Sequence, residues 1–185
     1  GRALSYVLSV PSVLPAEEAF ALLKSRHELI LARVDALLGE RSLDGLLAAG
    51  DEELFTKEVV MPMLERAGMI SVRYCHGVDE HGRDVLYRYR HPVGFDVQGA
   101  VQCKAGNISG RAGRDVDEII AQVQNAMAFP VYDPNTKAER RVSEVLIAIS
   151  GEFTNNAVET MRHRLEKPSD SRVWFLSAHD FREMA

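Results

Sequence analysis

The sequence predicts an α/β domain, a mixed central sheet flanked by helices, preceded by a helical extension. Three observations lead there. Runs of strand length, alternating or apolar, recur at residues 70–75, 84–90, 95–104, 144–150 and 172–177. Helical periodicity fills the segments before the first strand and between the third, fourth and fifth. With 185 residues, 46% of them hydrophobic, the chain is long enough to bury one sizeable core.

The elements follow in order. Pro15-Ala16-Glu17-Glu18 places a proline and two acids at a helix start, and Phe20, Leu23, His27, Ile30, Leu31, Val34, Leu37 and Leu38 then recur at helical spacing as far as Gly39. His27 belongs to the apolar side and reads as a packed core histidine. Ser42-Leu43-Asp44 opens a shorter helix ending near Gly50, so residues 1–50 form the extension and 51–185 the main domain. Asp51-Glu52-Glu53 caps the next helix, which carries Phe55, Val59, Val60, Met63 and Leu64 to Gly68, with Pro62 expected to kink or restart it. The first three strands succeed one another without an intervening helix. Gly99 inside the third marks a bulge or a close approach of another group. A glycine-rich loop, 105–113, leads to a helix over 115–128 with Ile119, Ile120, Val123, Ala126 and Met127 as its apolar set. Residues 129–141 read as irregular. The run 144–150 is apolar almost throughout, as in a strand covered on both faces. Asn156, with Glu159 three residues on, caps a helix to 166, and a final strand follows. The order is an α-β-β-β-α-β core plus a further helix and strand.

Composition narrows the function classes. No apolar run approaches the ~18 residues that span a bilayer, and the stretch 3–14 is a poor leader because Ser5, Ser9, Pro11 and Ser12 interrupt it. A soluble, cytoplasmic protein is expected. The first residues, Gly1-Arg2, and the strand-like run near Met184-Ala185 read as a piece of a longer protein fused to further domains. Two cysteines, Cys75 and Cys103, make no disulfide framework and are expected reduced. The net charge of -5 excludes a generally basic coat protein, yet between Arg83 and Arg114 six basic residues face two acidic ones. Such a concentration steers a polyanion toward that region.

That region also carries the chemistry. Asp84 opens one strand of the hairpin and Gln102-Cys103-Lys104 closes the next, so antiparallel pairing brings Asp84, Gln102 and Lys104 to one end. Residues two apart on a strand share a face, so Gln102 and Lys104 point together while Cys103 points into the core. Asp84 supplies an anionic oxygen for a hard cation, the Gln102 amide oxygen extends the coordination, and the Lys104 ammonium orients water and stabilises developing charge. This set suits metal-dependent phosphodiester cleavage. The glycine-rich loop lacks the Gly-Lys-Ser/Thr ending of a P-loop. Cys75, His76, His81, His91 and Cys103 share a region but not a paired zinc spacing, and Ser150-Gly151 lacks the nucleophile-elbow pattern.

Asp84 followed by Gln102-x-Lys104, framed by helices in this order, resembles the PD-(D/E)XK nuclease superfamily and in particular its Mrr-type restriction-endonuclease branch, where Gln replaces the usual acid. The resemblance covers residues 52–181. It implies a restriction-endonuclease-like fold and a Mg²⁺-dependent DNA endonuclease, with Mn²⁺ as the other ion such a site accepts. It further implies an effector role in bacterial restriction or anti-phage defence. A glutamate from the first helix of the fold completes such sites; Glu58 best matches that place, with Glu53 in reserve. Gln122 corresponds to a glutamine on the helix after the lysine strand. Arg83, Arg88, Arg111 and Arg114 are the candidates for backbone phosphate contacts on DNA. Cutting both strands implies a dimer or higher oligomer, with the helix over 16–38 as a possible seam. The alternative is an inactive nuclease-fold module that binds nucleic acid or docks a partner.

Overall fold

The computed structural model describes residues 42–75, 81–110, 114–133, 137–165 and 172–185. The chain divides into two compact units, Gly1–Ser42 and Leu43–Ala185. The expected long helix over 16–38, with His27, lies outside the described residues, and everything below concerns the second unit. Its boundary falls earlier than the expected 50/51. The first helix, α1 (Leu43–Ala48), buries Leu47 in the same apolar cluster as Phe55 and Val60, so it belongs to the second unit.

The capped segment after Asp51 forms α2 (Glu52–Phe55), a π-helical turn (Thr56–Val60) and α3 (Met61–Arg66). Asp51 accepts a hydrogen bond from the Leu54 N–H at 3.0 Å, the N-cap expected of it. Pro62 explains the interruption. Its ring crowds the carbonyl four residues back, and the helix widens instead, with the Met61 N–H reaching Thr56 O. Three antiparallel strands follow: β1 (Ile70–Tyr74), β2 (Val85–Arg90) and β3 (Asp96–Lys104). Then come α4 (Arg114–Ala128), a ribbon of β4 (Val131–Asp133) and β5 (Ala138–Arg140), β6 (Glu144–Ile149), α5 (Asn155–Leu165), β7 (Arg172–Leu176) and α6 (Ala178–Met184).

The central sheet runs β1-β2-β3-β6-β7, antiparallel across the first three strands and parallel from β3 through β7. It is the mixed sheet that the sequence predicts. Alternation along the strands separates two cores. Val85, Tyr87, Val101, Cys103 and Ala148 face α1 to α3 and α6, while Leu86, Ala100, Val145, Ile147 and Ile149 face α4 and α5. Each face is closed by helices that present one apolar stripe, such as Val116, Ile119, Ile120 and Val123 of α4.

Two elements depart from the sequence expectation. The segment 129–141 contains the β4–β5 ribbon, and the chain ends in a helix. Ser177 and Asp180 form a capping box at its start, and Phe181 meets Phe55 edge to face at 5.3 Å. Gly99 serves the close approach expected of it: the Tyr87 ring lies over it and leaves no room for a Cβ, and Tyr87 Oη donates to Glu144 Oε1 at 2.8 Å. Gly99→Ala is therefore expected to lower stability by about 1–3 kcal/mol through overpacking of a central strand. Urea unfolding beside wild type measures it, and an unshifted midpoint contradicts the packing described.

Candidate active site

Asp84 stands just before β2, opposite the end of β3. The chain reaches this point through Gly82, whose φ of +74° belongs to glycine and whose missing side chain lets the backbone rest on α4; a Cβ there would lie 2.7 Å from the Gln122 Cα. Beyond Val85↔Val101 the backbone ladder continues only as far as the Asp84 N–H, which donates to Val101 O at 2.9 Å. The next amide of β3, Cys103 N–H, is taken by the Asp84 side chain instead, at 2.6 Å to Oδ2. Asp84 thus has a structural duty: its carboxylate completes the strand pairing at the sheet end.

Gln102 and Lys104 share the face of Ala100, as the alternation requires, and Cys103 lies in the opposite core. Gln102 is 1% exposed. Its Nε2 donates to Cys103 O at 3.2 Å, while its Oε1 is buried with no hydrogen-bond partner among the described residues. A buried orphan acceptor is costly, on the order of 1–3 kcal/mol, and its persistence calls for a ligand or water at that oxygen.

Lys104 closes β3 and reaches both layers of helices. Its Nζ lies 3.2 Å from Glu118 Oε1 on α4 and 3.7 Å from Glu52 Oε2 at the start of α2. Burial alone lowers the affinity of this ammonium for its proton, but Glu52, the hydrogen bond and charge of Glu118, and the charge of Asp84 together outweigh it and hold its pKa above the ordinary lysine value. Lys104 is consequently a cation throughout the neutral range and orients or neutralises rather than accepting a proton. The neighbouring Cys103 thiol is pushed far up by burial and then by the Asp84 charge, which removes it as a nucleophile.

The glutamate that the first helices bring to Lys104 is Glu52. Glu58 is exposed on the π-helical turn, and Glu53 pairs with Lys57; neither is brought to Lys104. Glu52 is visible in the sequence only as a first-turn acid beside an N-cap, a role it shares with Glu53. Glu118 was also outside the expected set. Its signal is the i, i+4 spacing to Gln122, which puts both on the same stripe of α4.

The basic surround differs from expectation. Arg83 is 4% exposed, and its Nη1 donates to Phe129 O at 3.0 Å just beyond α4, so it braces the helix end instead of meeting phosphate. Arg88 is half-buried and donates to Ser71 Oγ, and Arg90 pairs with Asp96. Arg111 lies outside the described residues, and Arg114 opens α4. In the described part of the glycine-rich loop, Gly106 N–H donates to Ser150 Oγ and Gly110 N–H to Thr154 Oγ1, both at 2.9 Å. Cys103 is a buried free thiol.

Among the described residues no three His, Cys, Asp or Glu side chains converge. A divalent cation at the sheet end would have to use the Asp84 and Glu52 carboxylates and the orphaned Gln102 oxygen. Mg²⁺ takes one or two protein carboxylates and retains several waters. Among the described residues no helix is long and apolar enough to cross a membrane. Comparison of the chain with protein-family models, with curated proteins and with solved structures gives no significant match in any of the three.

Proposed function

We propose that residues 43–185 form a restriction-endonuclease-like domain that hydrolyses DNA phosphodiester bonds with Mg²⁺. The observation that carries this reading is the meeting of Asp84, the buried Gln102 oxygen and Lys104 at one end of the β2–β3 pair, with Glu52 reaching the same ammonium. The element order and the two strand ends agree with the arrangement implied by the resemblance to Mrr-type nucleases. The setting in restriction or anti-phage defence rests on that resemblance alone.

Each residue has a definite task. Asp84, Gln102 and Glu52 would hold the ion, which when bound supplies charge neutralisation at phosphate and a water of lowered pKa. Lys104, kept protonated by its carboxylate neighbours, holds the attacking water by hydrogen bonding and stabilises negative charge on the phosphate oxygens. Gln122 donates to Glu118, the carboxylate that Lys104 meets. With Arg83 engaged internally, the remaining candidates for phosphate contacts are Arg88, Arg114, which opens α4, and Arg111, three residues earlier in the sequence.

Gln102→Glu tests the coordination. It restores the acid of the more common E-x-K pattern and adds negative charge where an uncharged oxygen stands. Cleavage should reach half its maximal rate at roughly tenfold lower Mg²⁺, equivalent to about 1.4 kcal/mol. The metal-free variant should be less stable than wild type, because a charged carboxylate replaces a neutral amide at a buried position. A Mg²⁺ titration of plasmid cleavage reads the first effect, and an unchanged half-saturation point removes Gln102 from the coordination set.

A second reading has its own support. An amide in place of an acid, without three converging metal-binding side chains among the described residues, also suits an inactive module that holds nucleic acid. Salt-dependent DNA binding that neither needs Mg²⁺ nor ends in cleavage would favour it.

A further inference from the structure

On the α4 side of Lys104 stands Glu118, a residue that the nuclease resemblance does not supply. Glu118 Oε1 accepts from Lys104 Nζ at 3.2 Å and from Gln122 Nε2 at 3.4 Å, so one oxygen joins the ammonium to a glutamine one turn along the helix. Gln122 is itself fixed, because its backbone supports Gly82, two residues from Asp84. Its Oε1 is buried with no hydrogen-bond partner among the described residues. Glu52 approaches the ammonium from α2, in the helical layer on the other face of the sheet. Lys104 is therefore held from two sides.

An ammonium has three donors. One is given to Glu118, while Glu52 at 3.7 Å attracts the ammonium without a hydrogen bond, which leaves donors for water or phosphate. Without Glu118 the four-carbon stem is free to follow Glu52 or Asp84, and a displacement of about 1 Å at a reacting group is enough to cost two orders of magnitude in rate. The stability gained from so exposed an ion pair is small, since its carboxylate side chain is 44% exposed. An effect on rate without an effect on folding is the signature of positioning.

We propose that Glu118, braced by Gln122, is a positioning residue that fixes the Lys104 ammonium for phosphodiester cleavage. The inference rests on the nuclease reading above. Glu118 touches neither ion nor substrate in this scheme and acts only through Lys104.

The test compares wild type, Glu118→Ala and Glu118→Gln in single-turnover plasmid cleavage across a Mg²⁺ series, with nitrogen-15 NMR of the lysine ammonium groups in the metal-free proteins. Lys104→Arg identifies the Lys104 signal. Glu118→Ala should cut about 10–100-fold more slowly at saturating Mg²⁺, with its half-saturation point unchanged. In the wild type, contacts to Glu118 and Glu52 should slow proton exchange and give Lys104 a sharp ammonium resonance, which Glu118→Ala should lose. Glu118→Gln keeps an acceptor oxygen and should recover part of both. Wild-type cleavage in Glu118→Ala, or an unmoved Lys104 resonance, overturns the positioning role alone. A raised Mg²⁺ requirement at full maximal rate also overturns it, because Glu118 would then be an ion ligand. A wild type that does not cut with Mg²⁺ overturns the nuclease reading and this proposal with it.

Discussion

Lys104→Ala should lower Mg²⁺-dependent cleavage by about 10²–10³-fold, the usual cost of removing a preorganised charge stabiliser. The protein should remain folded. Lys104 sits at a strand end, and its pairs with Glu52 and Glu118 are partly open to solvent, so their loss is expected to change stability by only ~0–1 kcal/mol. Removing the cation also leaves Glu52, Glu118 and Asp84 mutually uncompensated, which should strengthen rather than weaken Mg²⁺ binding. Slow cutting with retained or tighter Mg²⁺ binding therefore separates a role in the reaction from a role in holding the ion. Single-turnover cleavage and calorimetric titration measure the two, and wild-type cutting by the variant removes Lys104 from the site.

Asp84 should give a contrasting pair of variants. Asp84→Ala removes an ion ligand and also leaves the Cys103 N–H without the acceptor it has at 2.6 Å. An unpaired amide next to a fully buried side chain costs about 1–3 kcal/mol, so this variant should be both inactive and measurably less stable. Asp84→Asn keeps an acceptor oxygen in the same place while losing the charge. It should melt near wild type, bind Mg²⁺ weakly and cut no DNA. Equal stability of Ala and Asn would show that the Cys103 contact contributes little. Tight Mg²⁺ binding by the Asn variant would remove Asp84 from the coordination set.

The strands and most helices were legible because their signals are local. The apolar run 144–150, the hairpin strands and the stripe of Ile119, Ile120 and Val123 each follow from periodicity, and Asp51 from capping chemistry. Gly99 was legible as a close approach, though not that Tyr87 makes it. The terminal helix was missed although Ser177-x-x-Asp180 is a capping-box spacing, because a run of only seven residues shows too little periodicity to stand out.

The placement of Asp84, Gln102 and Lys104 at one end of the sheet was readable from strand alternation and register. Which glutamate comes near Lys104 was not. Glu52, Glu53 and Glu58 lie within two turns of one another, and the choice depends on the rotation of α2 against the sheet, set by Phe55 in the core and by the π-helical turn ahead of Pro62. The basic cluster was readable as composition only. Sequence does not show that Arg83 turns inward to Phe129 O while Arg90 pairs with Asp96 across the hairpin.

The central claim is that the end of the β2–β3 pair is a metal-dependent hydrolytic site. Supercoiled plasmid incubated with wild type and with Asp84→Asn, each with Mg²⁺ and with chelator, tests it most directly. Nicked and linear DNA should appear only with wild type and Mg²⁺. Equal cutting by Asp84→Asn, or intact plasmid with a wild-type protein that still binds DNA in Mg²⁺, would contradict it.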